Sequence, residues 1–458
     1  MVRVLAVAGA LVVIAQLHRA GGGVISSELN RVFGLGGAEI GVVIGTMVLA
    51  SAVVQVPLGL AFDRYGTRRT TAALAVIAAA GTLAVALAEG STGLALGRFL
   101  IGTGFGGVIT AVMLLAMRWA PRERAATVAA GVIASASLLG GLLGTAPLAF
   151  ALQDLGWTST FGAISLLTLL GAGLAAALVR DAPEGDRSLP PGRESVIQSL
   201  RGLRAILADP RLRPVLIMGA CTIAPFACVG GLWAGPYLEE VHGLDREQAS
   251  FVLLGLVVTY NLGTLGYGPL DHWFGTHKGV VVAGAGAGAL CLAVLALWPR
   301  LPLWPAVVVL HLAMLALPFY VTLTAQIREF VPAHRLGRAI TSLYLFGLSA
   351  AFLAQWLTGY LVGVTAAPDR IGSPLGYRLV FGFLASMLVA ALLVYRRSRA
   401  ARRWRFGGGR PAPGVISGSR NRPRCRWAVW LAVPAIGRHG RDATGMRTCR
   451  ITDGRSRP

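Results

Sequence analysis

Twelve long apolar segments constrain the fold of this 458-residue chain more than any other feature. We number them spans 1 to 12, near residues 4–26, 37–62, 71–89, 92–117, 125–151, 158–179, 214–238, 248–270, 279–298, 303–326, 338–363 and 377–395. Most reach the roughly 20 residues that a helix needs to cross a bilayer. Lipid offers the backbone no hydrogen-bond partners, and the segments lack the alternation of barrel strands. They therefore predict an all-α membrane protein with twelve transmembrane helices.

The net charge of +22 lies mostly at the carboxyl end of the chain. Residues 396–458 hold 17 arginines and two acids, which leaves only +7 for the 395 residues before them. A strongly basic chain suggests a nucleic-acid partner, but the nearly balanced body removes that argument, and we expect none. The tail 396–458 lacks sustained periodicity and predicts disorder. Two interpretations of the tail stay open, a functional basic segment and an unselected extension.

Reactive residues are not arranged for catalysis or metal binding in this sequence. Its five cysteines show neither C-x-x-C spacing nor a cluster with histidine, which argues against a disulfide framework and a zinc site. We find no phosphate-binding glycine loop and no spacing that suggests a nucleophile with its base. We therefore predict that the protein is not an enzyme and that it uses no metal and no cofactor.

Arginine placement predicts the orientation of the spans. The amino end and the loops after spans 2, 4, 6, 8 and 10 carry 18 Lys and Arg residues, whereas the loops after the odd-numbered spans carry five. Basic loops stay on the cytoplasmic side of a membrane. Both termini are therefore predicted to be cytoplasmic.

Three sequence matches, each between segments six spans apart, indicate an internal repeat. The matched segments are 63–69 with 271–278, 121–124 with 332–335, and 155–162 with 375–382. Transporters often arise by duplication of a helical bundle. We therefore predict two pseudo-symmetric six-helix bundles, at residues 1–180 and 214–395, related by an axis along the membrane normal.

A polar linker at residues 181–213 separates the two predicted bundles. Apolar residues recur at helical spacing within it, at Val196, Leu200, Leu203 and Leu207. A short amphipathic helix on the inner membrane surface and a plain solvated linker are both open as interpretations.

The loop between spans 2 and 3 carries the most specific motif of the sequence. It fits the pattern G-x-x-x-D-R-x-G-x-[RK]-[RK] at Gly59, Asp63, Arg64, Gly66, Arg68 and Arg69. Span 4 adds the pattern R-x-x-x-G-x-G, which begins at Arg98, and span 7 closes with residues 231–238, Gly-Leu-Trp-Ala-Gly-Pro-Tyr-Leu. Through these motifs, residues 4–395 resemble bacterial permeases of the major facilitator superfamily. The resemblance implies the twelve-helix fold of that family and a multi-pass protein of the bacterial cytoplasmic membrane.

The resemblance also implies a gating role for the loop motif. A carboxylate at a helix exit opposes the helix dipole, so Asp63 needs a cationic or donor partner, which in the family lies in a neighbouring helix and closes the cytoplasmic gate. Asp271 and Gly275 repeat this motif after span 8, where His272 stands in place of the expected arginine and puts gate pairing in doubt. Alternatively, the loop cations are only determinants of topology.

Arg19 is the candidate that we favour for substrate binding. Arginine is costly inside a span, and Gly21, Gly22 and Gly23 weaken the helix next to it, which would let its guanidinium face a central cavity. In anion transporters of the family an arginine of helix 1 often binds the anion, a task that suits guanidinium geometry. The alternative is that Arg19 extends to the outer membrane interface.

Four further side chains are candidates for the substrate cavity. Arg98, His18 and His311 are titratable residues within spans, and Trp233 lies in the closing motif of span 7. Each also has an ordinary interpretation, as a packed core residue or, for Trp233, as part of an interfacial aromatic belt. No Asp or Glu falls near the middle of a span, so proton coupling would depend on a histidine or on a group that the sequence does not identify.

These residues predict a monomeric secondary transporter that works by alternating access in the lipid bilayer. Arg19 and the absence of buried acids favour a small organic or inorganic anion as the small-molecule substrate, with the coupling proton or ion left open. Two alternatives stay open, efflux of drugs or hydrophobic compounds and a transporter-like sensor.

Overall fold

The computed structural model describes residues 1–121, 123–181, 209–274, 276–298, 301–331, 333–366 and 371–397. The regular structure within these ranges is entirely helical. Eleven of the helices there are long and apolar enough to cross a membrane, and the shorter apolar helix Gly37–Val53 begins span 2. The prediction of twelve spans in two six-span halves is confirmed.

The amino-terminal half holds spans 1 to 6. Its helices are Val2–Ala20 and Gly22–Phe33 in span 1, Gly37–Val53 in span 2, Gln55–Ala86 in spans 2 and 3, Ser91–Phe105 and Val108–Trp119 in span 4, Ala125–Leu143 in span 5, and Ala146–Leu178 in spans 5 and 6. Two of these helices continue through a tight turn between spans. Gly66 and Gly156 mark the turns, with φ of 78° and 76°, a backbone conformation that favours glycine. The segment 63–70, expected as a loop, is therefore helical on both sides of Gly66.

The carboxyl-terminal half holds spans 7 to 12. Span 7 consists of Arg213–Cys228, a π-helical turn at Val229–Trp233, and Ala234–His242. The remaining helices are Arg246–Phe274 in span 8, His277–Leu297 in span 9, Leu303–Ala316 and Tyr320–Phe330 in span 10, Ala333–Val364 in span 11, and Pro374–Tyr395 in span 12. Spans 1, 4, 7 and 10 each depart from a regular α-helix near their middle. Because spans 1 and 7, and spans 4 and 10, are six spans apart, these irregularities repeat between the halves.

The two ends of the bundle differ in charge. We call the end that carries Arg64, Arg68 and Arg180 the basic face, and the opposite end, which carries Glu28 and Glu239, the far face. Away from both ends, the outside of the bundle is apolar. Leucines of span 6 are half or more exposed there, at Leu166, Leu167, Leu169, Leu170 and Leu174. Such a surface is suited to contact with lipid chains.

Glycines bring the two halves into close contact at the far face. Span 1 packs against span 7, span 2 against span 11, and span 5 against span 8. A Cβ atom on Gly41 would lie 2.6 Å from the carbonyl oxygen of Gln355 and 2.9 Å from the Cα of Gly359. Small residues allow helices in a membrane to approach this closely. The conformation described is therefore closed between the halves at the far face.

Several predicted features lie outside the described residues. These are the amphipathic stripe of the linker, Gly275, and the tail from residue 398 onward. Asp271 lies in the helix of span 8, but its side chain is also outside the described part of the chain.

Candidate functional site

Arg19 lies where span 1 is interrupted. The helix Val2–Ala20 ends at Gly21, and the next helix begins at Gly22. The Arg19 side chain is half-buried, and within the part of the chain that the structure describes its guanidinium has no hydrogen bond and no ion pair. A Cβ on Gly231 of span 7 would lie 3.7 Å from the Arg19 carbonyl oxygen. Arg19 is therefore an unpaired cation at the junction between the two halves.

The glycines after Arg19 have a packing role in addition to the helix-weakening role expected from the sequence. A Cβ on Gly22 would overlap the carbonyl group of Gly231, and a Cβ on Gly235 would overlap that of Gly23. Span 1 and span 7 thus touch through their backbones on the far-face side of Arg19. This contact joins the two halves directly beside Arg19.

Arg98 and His18 meet inside the amino-terminal half. The Arg98 side chain is 2% exposed, and its Nη1 donates to the carbonyl oxygen of His18 at 3.3 Å and contacts Met47 Sδ at 3.8 Å. The His18 Nε2 lies 3.3 Å from the Thr82 hydroxyl. Two nitrogens, Arg98 Nη2 and His18 Nδ1, are buried and have no hydrogen-bond partner among the described residues.

The bond from Arg98 explains how span 1 tolerates its interruption. A helix end leaves its last carbonyl groups without partners and carries partial negative charge. Arg98 donates to one of these carbonyls, that of His18, which directly precedes Arg19. Arg98 therefore stabilises the end of the helix Val2–Ala20 from within the amino-terminal half. Arg19 itself lies at the junction between the halves.

Trp233 and His311 occupy different environments in the carboxyl-terminal half. Trp233 is fully buried, and its indole N–H donates to the Thr358 hydroxyl at 2.9 Å. His311 is half-buried, with Nδ1 2.8 Å from the Val307 carbonyl oxygen. A Cβ on Gly255 of span 8 would lie 2.7 Å from His311 Nε2, so this glycine leaves room for the imidazole. Neither residue is brought into contact with Arg19 by the interactions described.

The motif between spans 2 and 3 contacts the end of span 6. The backbone N–H of Arg68 donates to Asp181 Oδ1 at 2.7 Å, and its Nε donates to the Ala176 carbonyl oxygen at 2.6 Å. A Cβ on Gly66 would clash with the Asp181 carboxylate. Arg64 lies over the ring of Tyr65, 5.4 Å from its centroid. Gly59 meets no atom within 4 Å at its Cβ position, and Arg69 is exposed.

A polar network at the far face was not predicted from the sequence. Glu28 of span 1 is 4% exposed and forms ion pairs with Arg31 and with Arg246 of span 8. Next to it, the Ser27 hydroxyl donates to Glu239 Oε1 of span 7 at 2.9 Å. Both Arg246 and Glu239 belong to the other half, so this network joins the halves. The sequence gives no sign that Glu28 lies in contact with Arg246, or Ser27 with Glu239.

An aromatic cluster in the carboxyl-terminal half was also missed. The rings of Phe226 and Tyr260 stack with their centroids 3.9 Å apart, and the phenols of Tyr320 and Tyr344 lie near Tyr260. Each of the four comes from a different span, namely 7, 8, 10 and 11. The available signal was an aromatic residue within each of these four spans.

The family model of the Major Facilitator Superfamily matches residues 8–258 of the chain. This protein belongs to that superfamily. Solved structures with the same fold include the nucleoside transporter NupG, with a TM-score of 0.68, 12% identity, and coverage of 86% of this chain and 98% of that one. A bacterial homologue of the human lysosomal transporter Spinster, in an inward-facing and occupied conformation, has a TM-score of 0.70 at 18% identity and covers 86% and 96%.

Curated superfamily relatives are named after the solutes that they carry. A gentisate transporter of Corynebacterium glutamicum is 24% identical over 351 residues, which cover 74% of this chain and 76% of the relative. A hexuronate transporter of Bacillus subtilis is 24% identical over 377 residues, with coverage of 79% and 86%. A "Probable sulfoacetate transporter" of Cupriavidus necator is 25% identical over 263 residues, with coverage of 55% and 61%. The protein is a multi-pass membrane transporter of a small solute.

Proposed function

We propose that this superfamily member carries a small organic anion across the bacterial inner membrane and that Arg19 binds the anionic group. The observation that carries the proposal is the Arg19 guanidinium, half-buried at the junction of the halves without a hydrogen-bond or ion-pair partner in the described part of the chain. An unpaired cation inside a membrane protein is costly, which favours a role in binding a counter-charge. Its planar donors suit the two oxygens of a carboxylate.

The relatives support an anionic substrate. Gentisate, hexuronate and sulfoacetate are all organic acids that are ionised near neutral pH. Their chemistry fits a central arginine and does not favour efflux of hydrophobic drugs or a sensor that lacks transport.

Closure at the far face supports alternating access in this protein. Gly22 meets Gly231, and Gly41 meets Gly359, so the halves leave no room for a solute between them at that end. A substrate at Arg19 would exchange with the basic face in this conformation and with the far face after the halves reorient. Because loops rich in arginine stay inside, the basic face and both termini are proposed to lie in the cytoplasm.

Coupling and assembly are part of the same proposal. We infer a monomer, because each chain contains both halves that enclose Arg19. His18 and His311 are the titratable histidines within the spans that surround this position, and they are the groups to test for proton coupling.

The proposal can be tested by counterflow in proteoliposomes, which detects exchange in either direction. Labelled gentisate, a labelled hexuronate and labelled sulfoacetate serve as probes. Arg19→Ala should lower the exchange of the transported anion by at least about 10-fold, since a hydrogen bond to a charged group contributes roughly 1.5–3 kcal/mol. Arg3→Ala is a matched control, because it removes an exposed arginine from the same span. Equal exchange by Arg19→Ala and the wild type would refute the proposal.

A further inference from the structure

Four aromatic side chains of the carboxyl-terminal half form one cluster, which we call the aromatic cluster. It consists of Phe226, Tyr260, Tyr320 and Tyr344. Phe226 and Tyr260 stack at an interplanar angle of 25°, and the phenols of Tyr320 and Tyr344 lie near each other and near Tyr260. Tyr267 also lies near Tyr260, but its hydroxyl is bonded to the Ala316 carbonyl oxygen. All four are half-buried. The four residues come from four different spans, and part of each side chain is exposed.

Three phenol hydroxyl groups of the cluster lack hydrogen bonds. Within the part of the chain that the structure describes, the hydroxyls of Tyr260, Tyr320 and Tyr344 have no such partner. A tyrosine hydroxyl that enters the protein interior usually has one.

Other tyrosines of the same half show the contrast. The hydroxyl of Tyr267 donates to the Ala316 carbonyl, that of Tyr377 donates to Glu240 Oε2 at 2.7 Å, and that of Tyr395 donates to Gln326 Oε1 at 2.5 Å. The Tyr237 hydroxyl is also buried without a partner among the described residues, but its ring packs against Tyr377 and Phe381. The three free phenols of the cluster differ because they lie near one another. Such groups are available to a ligand.

The cluster lies at a depth that one ligand could share with Arg19. Counting ~1.5 Å per residue from the basic-face ends of their helices, Tyr320 and Tyr344 lie roughly 15–17 Å deep, and Phe226 and Tyr260 roughly 20–21 Å. Arg19 lies about 26 Å from the start of span 1 by the same count. The cluster is therefore about 5–11 Å closer to the basic face, on the half opposite to span 1. This offset is comparable with the size of one substituted ring.

We propose that the substrate is a hydroxylated aromatic carboxylate whose ring lies against the aromatic cluster while its carboxylate binds Arg19. Phe226 and Tyr260 offer faces for ring stacking, and the three free phenols can bond to ring hydroxyls. Spans 7, 8, 10 and 11 carry the ring site and span 1 carries the anion site, so a bound substrate would touch both halves. This inference rests on the proposed function of Arg19 and adds the substrate class.

The test compares ring-bearing and acyclic probes in counterflow with the full-length protein. Gentisate should be exchanged with a lower KM than a hexuronate or sulfoacetate. Phe226→Ala and Tyr260→Ala should raise the KM for gentisate by about 5-fold or more, in line with the contribution of an aromatic pair. Tyr360→Phe changes an exposed tyrosine of span 11 outside the cluster; it is the control and should leave the KM for gentisate unchanged. A thermal melt of each variant confirms that it is folded.

A second pair of probes tests the hydroxyl groups with conservative variants. Tyr320→Phe and Tyr344→Phe should lower the preference for gentisate over benzoate, because benzoate has no ring hydroxyls to bind. Three results would overturn the inference: an unchanged preference in both variants, gentisate exchange that is insensitive to the cluster variants, or preferred exchange of hexuronate or sulfoacetate. In the last case, dependence on Arg19 would leave the proposed function intact. Anion exchange that does not depend on Arg19 would refute both proposals.

Discussion

Glu28 of span 1 and Arg246 of span 8 form an ion pair that joins the two halves of the transporter at the far face. The Glu28 carboxylate is 5% exposed and the Arg246 side chain 17% exposed, so the pair is largely shielded from solvent. Glu28 also pairs with Arg31 of its own span. The far-face closure therefore depends on a buried carboxylate that holds one cation from each half.

Loss of the Glu28 charge should loosen this closure. Removal of one partner from a buried ion pair costs roughly 3–5 kcal/mol, because the other charge stays without compensation. In Glu28→Gln the closed conformation loses much of this stabilisation, and the far face should open more often. A cysteine at the buried Ser26 reports opening, so Glu28→Gln should label about 10-fold faster with an impermeant maleimide.

Glu39→Gln is the matched control for this experiment. Glu39 accepts a hydrogen bond from the backbone of Gly36 in its own half and does not join the halves. Its labelling rate at Ser26→Cys should equal that of the parent protein. Equal labelling in Glu28→Gln and Glu39→Gln would show that the ion pair does not hold the far face closed.

Gly41→Ala should prevent full closure of spans 2 and 11. The added Cβ would lie within 3 Å of the backbone at Gln355 and Gly359, and backbone atoms cannot move aside without shifting a helix. Spin labels at Glu39 and Val364 should show a longer distance in the variant, and counterflow should slow. Gly131→Ala, in span 5 and with no atom within 4 Å of its Cβ position, should change neither. An unchanged distance in Gly41→Ala would contradict the packing described.

Arg98→Met should separate transport from stability. The substitution removes a charge that costs about 2.5–3.5 kcal/mol inside a span, and it also removes a charged hydrogen bond to His18 that contributes roughly 1.5–3 kcal/mol. These effects oppose each other, so the melting temperature should change by only a few degrees. Counterflow should fall by at least about 10-fold, because the end of the helix before Arg19 loses its partner. Full transport activity in Arg98→Met would show that this bond is not needed.

Substitutions at Gly66 and Gly156 can be compared to measure how much each turn between spans contributes to stability. Both have φ near 77° and extended ψ, a conformation that costs other residues about 1–3 kcal/mol. A Cβ on Gly156 meets no atom, whereas a Cβ on Gly66 clashes with Asp181. Gly66→Ala should therefore lower the melting temperature more than Gly156→Ala. An equal loss in the two variants would mean that the contact with Asp181 adds nothing to stability.

Hydropathy was sufficient to predict the twelve spans, and three internal sequence matches were sufficient to predict their two halves. Bilayer thickness sets the length of a span, so each span can be recognised from its own stretch of apolar residues. The interruption after Arg19 was also visible, because three consecutive glycines weaken a helix. What local sequence could not show is that Gly22 and Gly23 meet the backbone of span 7, since that contact depends on tertiary packing.

The far-face network and the aromatic cluster could not be predicted for a related reason. Glu28 and Arg246 are both ordinary charged residues near helix ends, and only the fold brings them together. Phe226 and Tyr260 are aromatic residues of separate spans, and their stacking depends on how spans 7 and 8 pack. Trp233, in contrast, was predicted from the sequence as a candidate for the cavity. In the structure its indole N–H donates a hydrogen bond to the Thr358 hydroxyl inside the core.

Ligand-induced stabilisation is the most direct test of whether Arg19 binds the anionic substrate. A ligand that binds the folded state raises the melting temperature, by an amount that corresponds to about 2.7 kcal/mol at 100 times its Kd. We predict that at least one organic acid from a screen of gentisate, hexuronates and sulfoacetate stabilises the wild type and fails to stabilise Arg19→Ala at the same concentration. The same thermal shift in the wild type and in Arg19→Ala would show that Arg19 does not bind the anion.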